Sequence, residues 1–213
     1  MDNFFKLPPD EIENKSFEII TQELSEKGIQ LKPEEEMVIK RAIHTSADFD
    51  YAENLKFSAN AVNLGIEALK SGISIVTDTN MAASGINKAA AKRLGVHVHC
   101  FMADEDIAIK AKADKTTRAA KCMDKAAEMG EDFIIAVGNA PTALIRLKEL
   151  IDEKKIKPRL IIAVPVGFVN VVESKEMIAS LDIPYIAAMG RKGGSNIAAA
   201  ICNALLYLAS PRI

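Results

Sequence analysis

The chain has 213 residues, 49% hydrophobic and 26% charged, with a formal net charge of −2. That length suits one domain with a full core, and the near-neutral balance argues against non-specific nucleic-acid binding. No apolar run approaches the roughly 18–20 residues that span a bilayer. The N-terminal stretch is acidic and mixed, unlike a signal peptide. Cys100, Cys122 and Cys202 are scattered without CxxC spacing, which argues against disulfides and structural zinc. The expectation is a cytoplasmic protein that binds neither membrane nor nucleic acid.

Residues 10–27 read as an amphipathic helix, with Ile12, Phe17, Ile20 and Leu24 at helical spacing and Gly28 where a left-handed cap would sit. Ser16 lies beside Phe17. A second helix starts at Pro33, with three glutamates in its first turn and Val38, Ala42 and Ile43 as its apolar side. It carries Arg41, His44 and Asp48. Ser58 is placed to cap a third helix that ends at Gly72.

From residue 73 the pattern changes. A β-branched run over 73–77 stops at Asp78 and enters the turn-like DTNMAASG. Further strands are predicted at 96–101, 133–137, 160–164 and 185–188. Helices are predicted at 87–94, 116–129, from the turn at 138–142 to 154, at 173–181 and at 197–208. Strand and helix thus alternate, and the strands are fully apolar. The fold class expected is α/β, a mostly parallel sheet with helices on both faces, preceded by N-terminal helices. Within one domain, the helical part covers about 10–72 and the alternating part about 73–208.

The stretch MGRKGGSN (189–196) lies between the last strand and the last helix. A glycine-rich turn there leaves N–H groups at the positive end of a helix and suits an anion, here beside Arg191, Lys192, Gly193, Gly194 and Ser195. The spacing is neither GxGxxG nor GxxxxGK[ST], and no acidic residue follows about 20 positions on, which argues against NAD or ATP. A tight turn with a solvated Arg–Lys pair is the plain alternative.

Other helix starts are similarly prepared. Gly138, Asn139, Ala140, Pro141 and Thr142 offer Asn139 as an N-cap and Thr142 as a hydroxyl donor. Thr117 and Arg118 open another helix. Val166, Gly167 and Phe168 follow Pro165, with Gly167 allowing close backbone approach and Phe168 an apolar face. Such turns gather at the carboxyl edge of a parallel sheet. Together they fit a polycarboxylate with a large, flat, apolar skeleton.

His44 is the acid–base candidate. On a continuous helix it shares a face with Met37, Arg41 and Asp48; Asp48 would orient the ring and Arg41 would favour its neutral form. The plain alternative is an exposed His–Asp pair. His97 and His99 alternate on one strand, but no third ligand has metal-site spacing, so they read equally as paired side chains.

Taken together, Lys15-Ser16-Phe17, Arg41-Ala-Ile-His44, Asp78-Thr-Asn-Met81, Thr117-Arg118, GNAPTAL (138–144), PVGFV with Glu173-Ser174-Lys175 after it, and GRKGGS (190–195) resemble the precorrin-8X / cobalt-precorrin-8 methylmutases of cobalamin biosynthesis. The resemblance spans nearly the whole chain in the family's order. It implies a Rossmann-like fold and a homodimer with a corrinoid tetrapyrrole substrate near the subunit interface. It also implies an isomerase that moves a methyl group from ring carbon 11 to 12 without a cofactor of its own, any cobalt belonging to the substrate. On this resemblance His44 is catalytic, Ser16 contacts substrate and Arg118 is the active-site arginine. One departure is Thr45-Ser46-Ala47-Asp48, where members often carry a glycine near position 47. A non-catalytic corrinoid carrier and a small-molecule kinase or dehydrogenase are the competing readings.

Overall fold

The computed structural model describes residues 8–211; the expectation about the acidic, mixed N-terminal stretch falls partly on residues 1–7, which lie outside them. In chain order the helical part comprises α1 (Pro9–Glu26), α2 (Pro33–Ser46), α3 (Tyr51–Asn54), β1 (Leu55–Phe57) and α4 (Ala61–Lys70). Alternation follows through β2 (Ser74–Thr77), α5 (Asn80–Gly85), α6 (Lys88–Arg93), β3 (Val98–His99), α7 (Glu105–Ala113) and α8 (Arg118–Glu128). It continues with β4 (Phe133–Val137), α9 (Pro141–Asp152), β5 (Leu160–Ala163), α10 (Val171–Ala179), β6 (Tyr185–Ala188) and α11 (Ser195–Ala209).

The strands form one sheet in the order β1-β6-β5-β4-β2-β3. Neighbours from β6 to β3 run parallel, and β1 closes one edge antiparallel to β6. This is the expected α/β class. Each central strand splits its side chains between two cores because successive residues face opposite ways. Ile134, Ala136, Leu160, Ile162 and Ile186 pack with α2, α4 and α11. Phe133, Ile135, Val137, Ile161 and Ala187 pack with α8, α9 and α10. Burial on both faces is why these strands read as unbroken apolar runs.

Helices switch faces between β2 and β4, whose crossovers run in opposite directions along the sheet. A crevice opens outside the carboxyl ends of strands at such a point. The ends of β2, β4, β5 and β6 deliver Asp78, Gly138, Val164 and Met189 to that edge.

Several local expectations change. Ser58 does not cap a helix: its Oγ accepts from the Tyr185 N–H at 2.9 Å, and Asn60 precedes α4 in the left-handed region. The DTNMAASG stretch contains a helix, α5, because the Thr79 hydroxyl accepts from Ala82 N–H at 3.1 Å. β3 is only two residues long. Helices α3 and α7 and strand β1 were not anticipated.

Candidate active site

The carboxyl edge of the sheet is held together chiefly by its own polar groups. Asp78 is wholly buried. Its carboxylate accepts from the backbone N–H groups of Gly138 (2.8 Å), Asn139 (2.9 Å) and Ala140 (2.8 Å). Burial pushes its pKa up, opposed by these three N–H groups. The anion-seeking turn before α9 is thus already occupied, and by the chain's own carboxylate. Gly138, Asn139 and Ala140 therefore offer a substrate little through their N–H groups. The N-cap of α9 is Ala140, without a side-chain cap, in place of the expected Asn139.

Thr142 lies in the first turn of α9, and its hydroxyl shares a 2.8 Å hydrogen bond with that of Thr117. Thr117 also caps α8 through Ala120 N–H, which leaves Arg118 exposed at a positive helix end.

The glycine turn is equally engaged. Buried Lys175 donates from Nζ to the carbonyls of Gly190 (2.9 Å) and Lys192 (2.8 Å), and burial lowers its pKa to about 8. Gly194 N–H donates to Val164 O at 2.8 Å, and Gly167 N–H to Arg191 O at 3.2 Å. Gly193 has φ +156°, and a Cβ there would lie 2.1 Å from Val164 O. A Cβ on Gly138 would lie 2.6 Å from Ser195 Cα. The turns at 138, 164–167 and 190–195 are therefore packed backbone to backbone. The Ser195 hydroxyl pairs with that of Thr79 at 2.8 Å. Outside this frame Val166, Phe168 and Val169 are exposed, Phe168 at 81%, with the Arg191 guanidinium 5.4 Å from its ring centroid.

His44 stands elsewhere, exposed in the last turn of α2. Its imidazole stacks on Phe17 of α1, with centroids 5.4 Å apart and planes 26° from parallel. Arg41 sits 5.2 Å from the centroid of Phe17 and 4.8 Å from that of Tyr207. Its guanidinium pairs with Glu13 at 2.6 Å, while its Nε is buried without a hydrogen-bond partner. Arg41 is thus occupied by α1 and α11. Ser16 Oγ donates to Ile12 O at 2.8 Å within α1.

Asp48 does not share a helix face with His44. α2 ends at Ser46, and Ala47 turns left-handed at φ 54°. Asp48 therefore leaves the helix and pairs with Lys192 at 2.7 Å; that hydrogen bond heads the causes that hold its carboxyl below the usual range. Lys192 also meets Asp50 at 2.5 Å. These ion pairs tie the His44 segment to the glycine turn, so Lys192 bridges the two halves of the site. His97 and His99 have ring centroids 6.3 Å apart. Among the described residues no group of three or more His, Cys, Asp or Glu is placed to hold a metal ion. In the sequence the signal for Asp78 and Lys175 is slight: a charged residue at the end of an apolar strand and another within a helix.

A family model described as Precorrin-8X methylmutase matches residues 11–208. The chain belongs to that family. It is 47% identical over 209 residues to the Cobalt-precorrin-8 methylmutase of Leptospira interrogans, covering 94% of each chain. It is 42% identical to the protein of that name from Priestia megaterium, covering 94% of this chain and 88% of the other. The crystal structure of Precorrin-8x Methyl Mutase from Thermus thermophilus superposes with TM-score 0.86 at 36% identity, covering 93% of this chain and 97% of that one. The methylmutase is therefore an isomerase of cobalamin biosynthesis, from a family that acts on a corrinoid tetrapyrrole. Among the described residues no helix is long and apolar enough to cross a membrane.

Proposed function

We propose that this methylmutase moves a methyl group from ring carbon 11 to carbon 12 of (cobalt-)precorrin-8, with His44 as general acid. The C11–CH₃ bond breaks as the C12–CH₃ bond forms. A proton lent by His44 raises electron demand in the ring and then returns, so no atoms or electrons are gained overall. The enzyme then needs no cofactor of its own, and cobalt, where present, enters with the substrate.

The observation that carries this reading is the exposed, stacked imidazole of His44 tied to the sheet edge through Asp48 and Lys192. An imidazole gives and takes protons near neutral pH, and a placed general acid contributes about 10² to 10⁴-fold. Positioning must supply part of the remainder. For that we assign Arg118, Arg191, Thr142, Ser195 and the glycine turn to the acetate and propionate groups of the macrocycle, and Phe168 and Val166 to its apolar face. Ser16 is assigned a contact near His44. The exposed Val166, Phe168 and Val169 support a homodimer with substrate at the interface.

The experiment is incubation with metal-free and cobalt-bearing substrate in turn, without added cofactor, following the absorption change as ring conjugation shifts. Conversion of either supports the reading. Thermal stabilisation by ATP or NAD, with neither turnover of nor stabilisation by a corrinoid, overturns it.

A further inference from the structure

The motif Asp78-Thr79 has no part in the proton chemistry, yet more of the active-site edge converges on it than on any other pair described above. Asp78 is the residue immediately after β2, at the side of the switch point that faces β4. One carboxylate oxygen takes Gly138 N–H, and the other takes both Asn139 and Ala140 N–H. All three donors lie ~60 residues downstream, at the mouth of α9. The next residue, Thr79, caps α5 and hydrogen-bonds Ser195 at the first turn of α11. Gly138 and Ser195 themselves touch closely enough to forbid a Cβ at 138. Two adjacent side chains thus set the mutual position of three helix starts.

We infer that Asp78 is a positioning residue of this methylmutase: its carboxylate serves as a resident anion that fixes the 138–142 loop against the 190–195 turn. The same occupancy keeps small external anions out of a crevice that this strand order otherwise offers to ligands. The inference rests on the sheet edge being where the substrate is held. An amide cannot do this work, because one of its two heavy atoms would present N–H to a backbone N–H. Removing the carboxylate altogether leaves three backbone donors facing a hole that a one-carbon carboxylate can fill.

The test compares Asp78→Ala and Asp78→Asn with wild type, with and without sodium formate at matched ionic strength. Turnover of precorrin-8, the dissociation constant for product and thermal midpoint are each measured. A displacement of about 1 Å in a binding frame costs on the order of 10²-fold, and that loss in kcat/KM is expected for both variants. Formate should restore D78A at least tenfold, tighten its product binding and raise its midpoint saturably, while leaving wild type and D78N unchanged. Should D78A fold only when formate is present, the inference is supported equally. Kinetics like wild type in folded D78A, a folded D78A indifferent to formate, or a D78A that formate does not help to fold would each overturn it. Product binding and thermal midpoint read the geometry of the loop and not proton transfer, so a failure of the general-acid assignment would leave these two readouts intact.

Discussion

The sheet edge and the α1–α2 corner, the two halves of this site, are built on opposite plans. At the edge polar groups are consumed internally: Asp78 by three N–H groups, Lys175 by two carbonyls, Thr79 by Ser195. At the corner the imidazole of His44 is exposed and held by stacking alone among the contacts described, and Arg41 keeps a buried Nε without a partner. A satisfied polar network is rigid and specifies one geometry, whereas an exposed ring stays open to an incoming ligand. Under the proposed function the contrast is a division of labour, in which the edge fixes shape and the corner supplies the proton.

The largest break in that contrast comes from Gly193→Ala. The added methyl would meet Val164 O at 2.1 Å in a backbone region that L side chains rarely adopt. A stability loss of about 3 kcal/mol or more is expected, read by urea unfolding, with turnover lost in parallel. A G193A protein of wild-type stability would show the edge to be pliable.

Next is Lys175→Met. The carbonyls of Gly190 and Lys192 lose their buried donor, a deficit of about 1–3 kcal/mol for the two hydrogen bonds together near pH 7. The sign of its pH dependence follows from the lowered pKa. Folded Lys175 releases its proton near pH 8, while the unfolded chain holds it to 10.5. Between those values the unfolded state binds more protons, so this residue's contribution rises with pH and is lost as pH falls through 8. The gap between wild type and K175M should therefore widen from pH 8 to 10 in denaturant titrations. A gap that narrows would contradict the buried-lysine account.

The smallest effect sharpens the corner. Ala47 sits at φ 54°, where glycine carries no strain. Ala47→Gly should stabilise by up to about 1 kcal/mol in thermal melts, with kcat unchanged. A kcat that falls would show that this turn constrains His44.

The same division decides what the sequence made legible. β4 and β6 were placed at their observed ends, because five- and four-residue apolar runs flanked by turn residues have few alternatives. The alternation after residue 73 fixed the α/β class for the same reason. β1 is not legible because Leu55-Lys56-Phe57 is short and becomes a strand only by pairing with the distant β6, Leu55 with Ala188 and Phe57 with Ile186. His44 was legible only as an acid–base candidate, and its expected partner does not hold: a single left-handed residue at 47 removes Asp48 from the helix face and hands it to Lys192. The turn at 138–142 was legible as a helix start suited to an anion. Its tenant, Asp78, is a non-local fact that no local pattern carries.

The most direct test of the division of labour is to measure kcat and the product dissociation constant together for His44→Asn. The account predicts a kcat lower by about 10² to 10⁴-fold with product binding as tight as in wild type. Unchanged kcat, or binding that weakens in step with kcat, would contradict it.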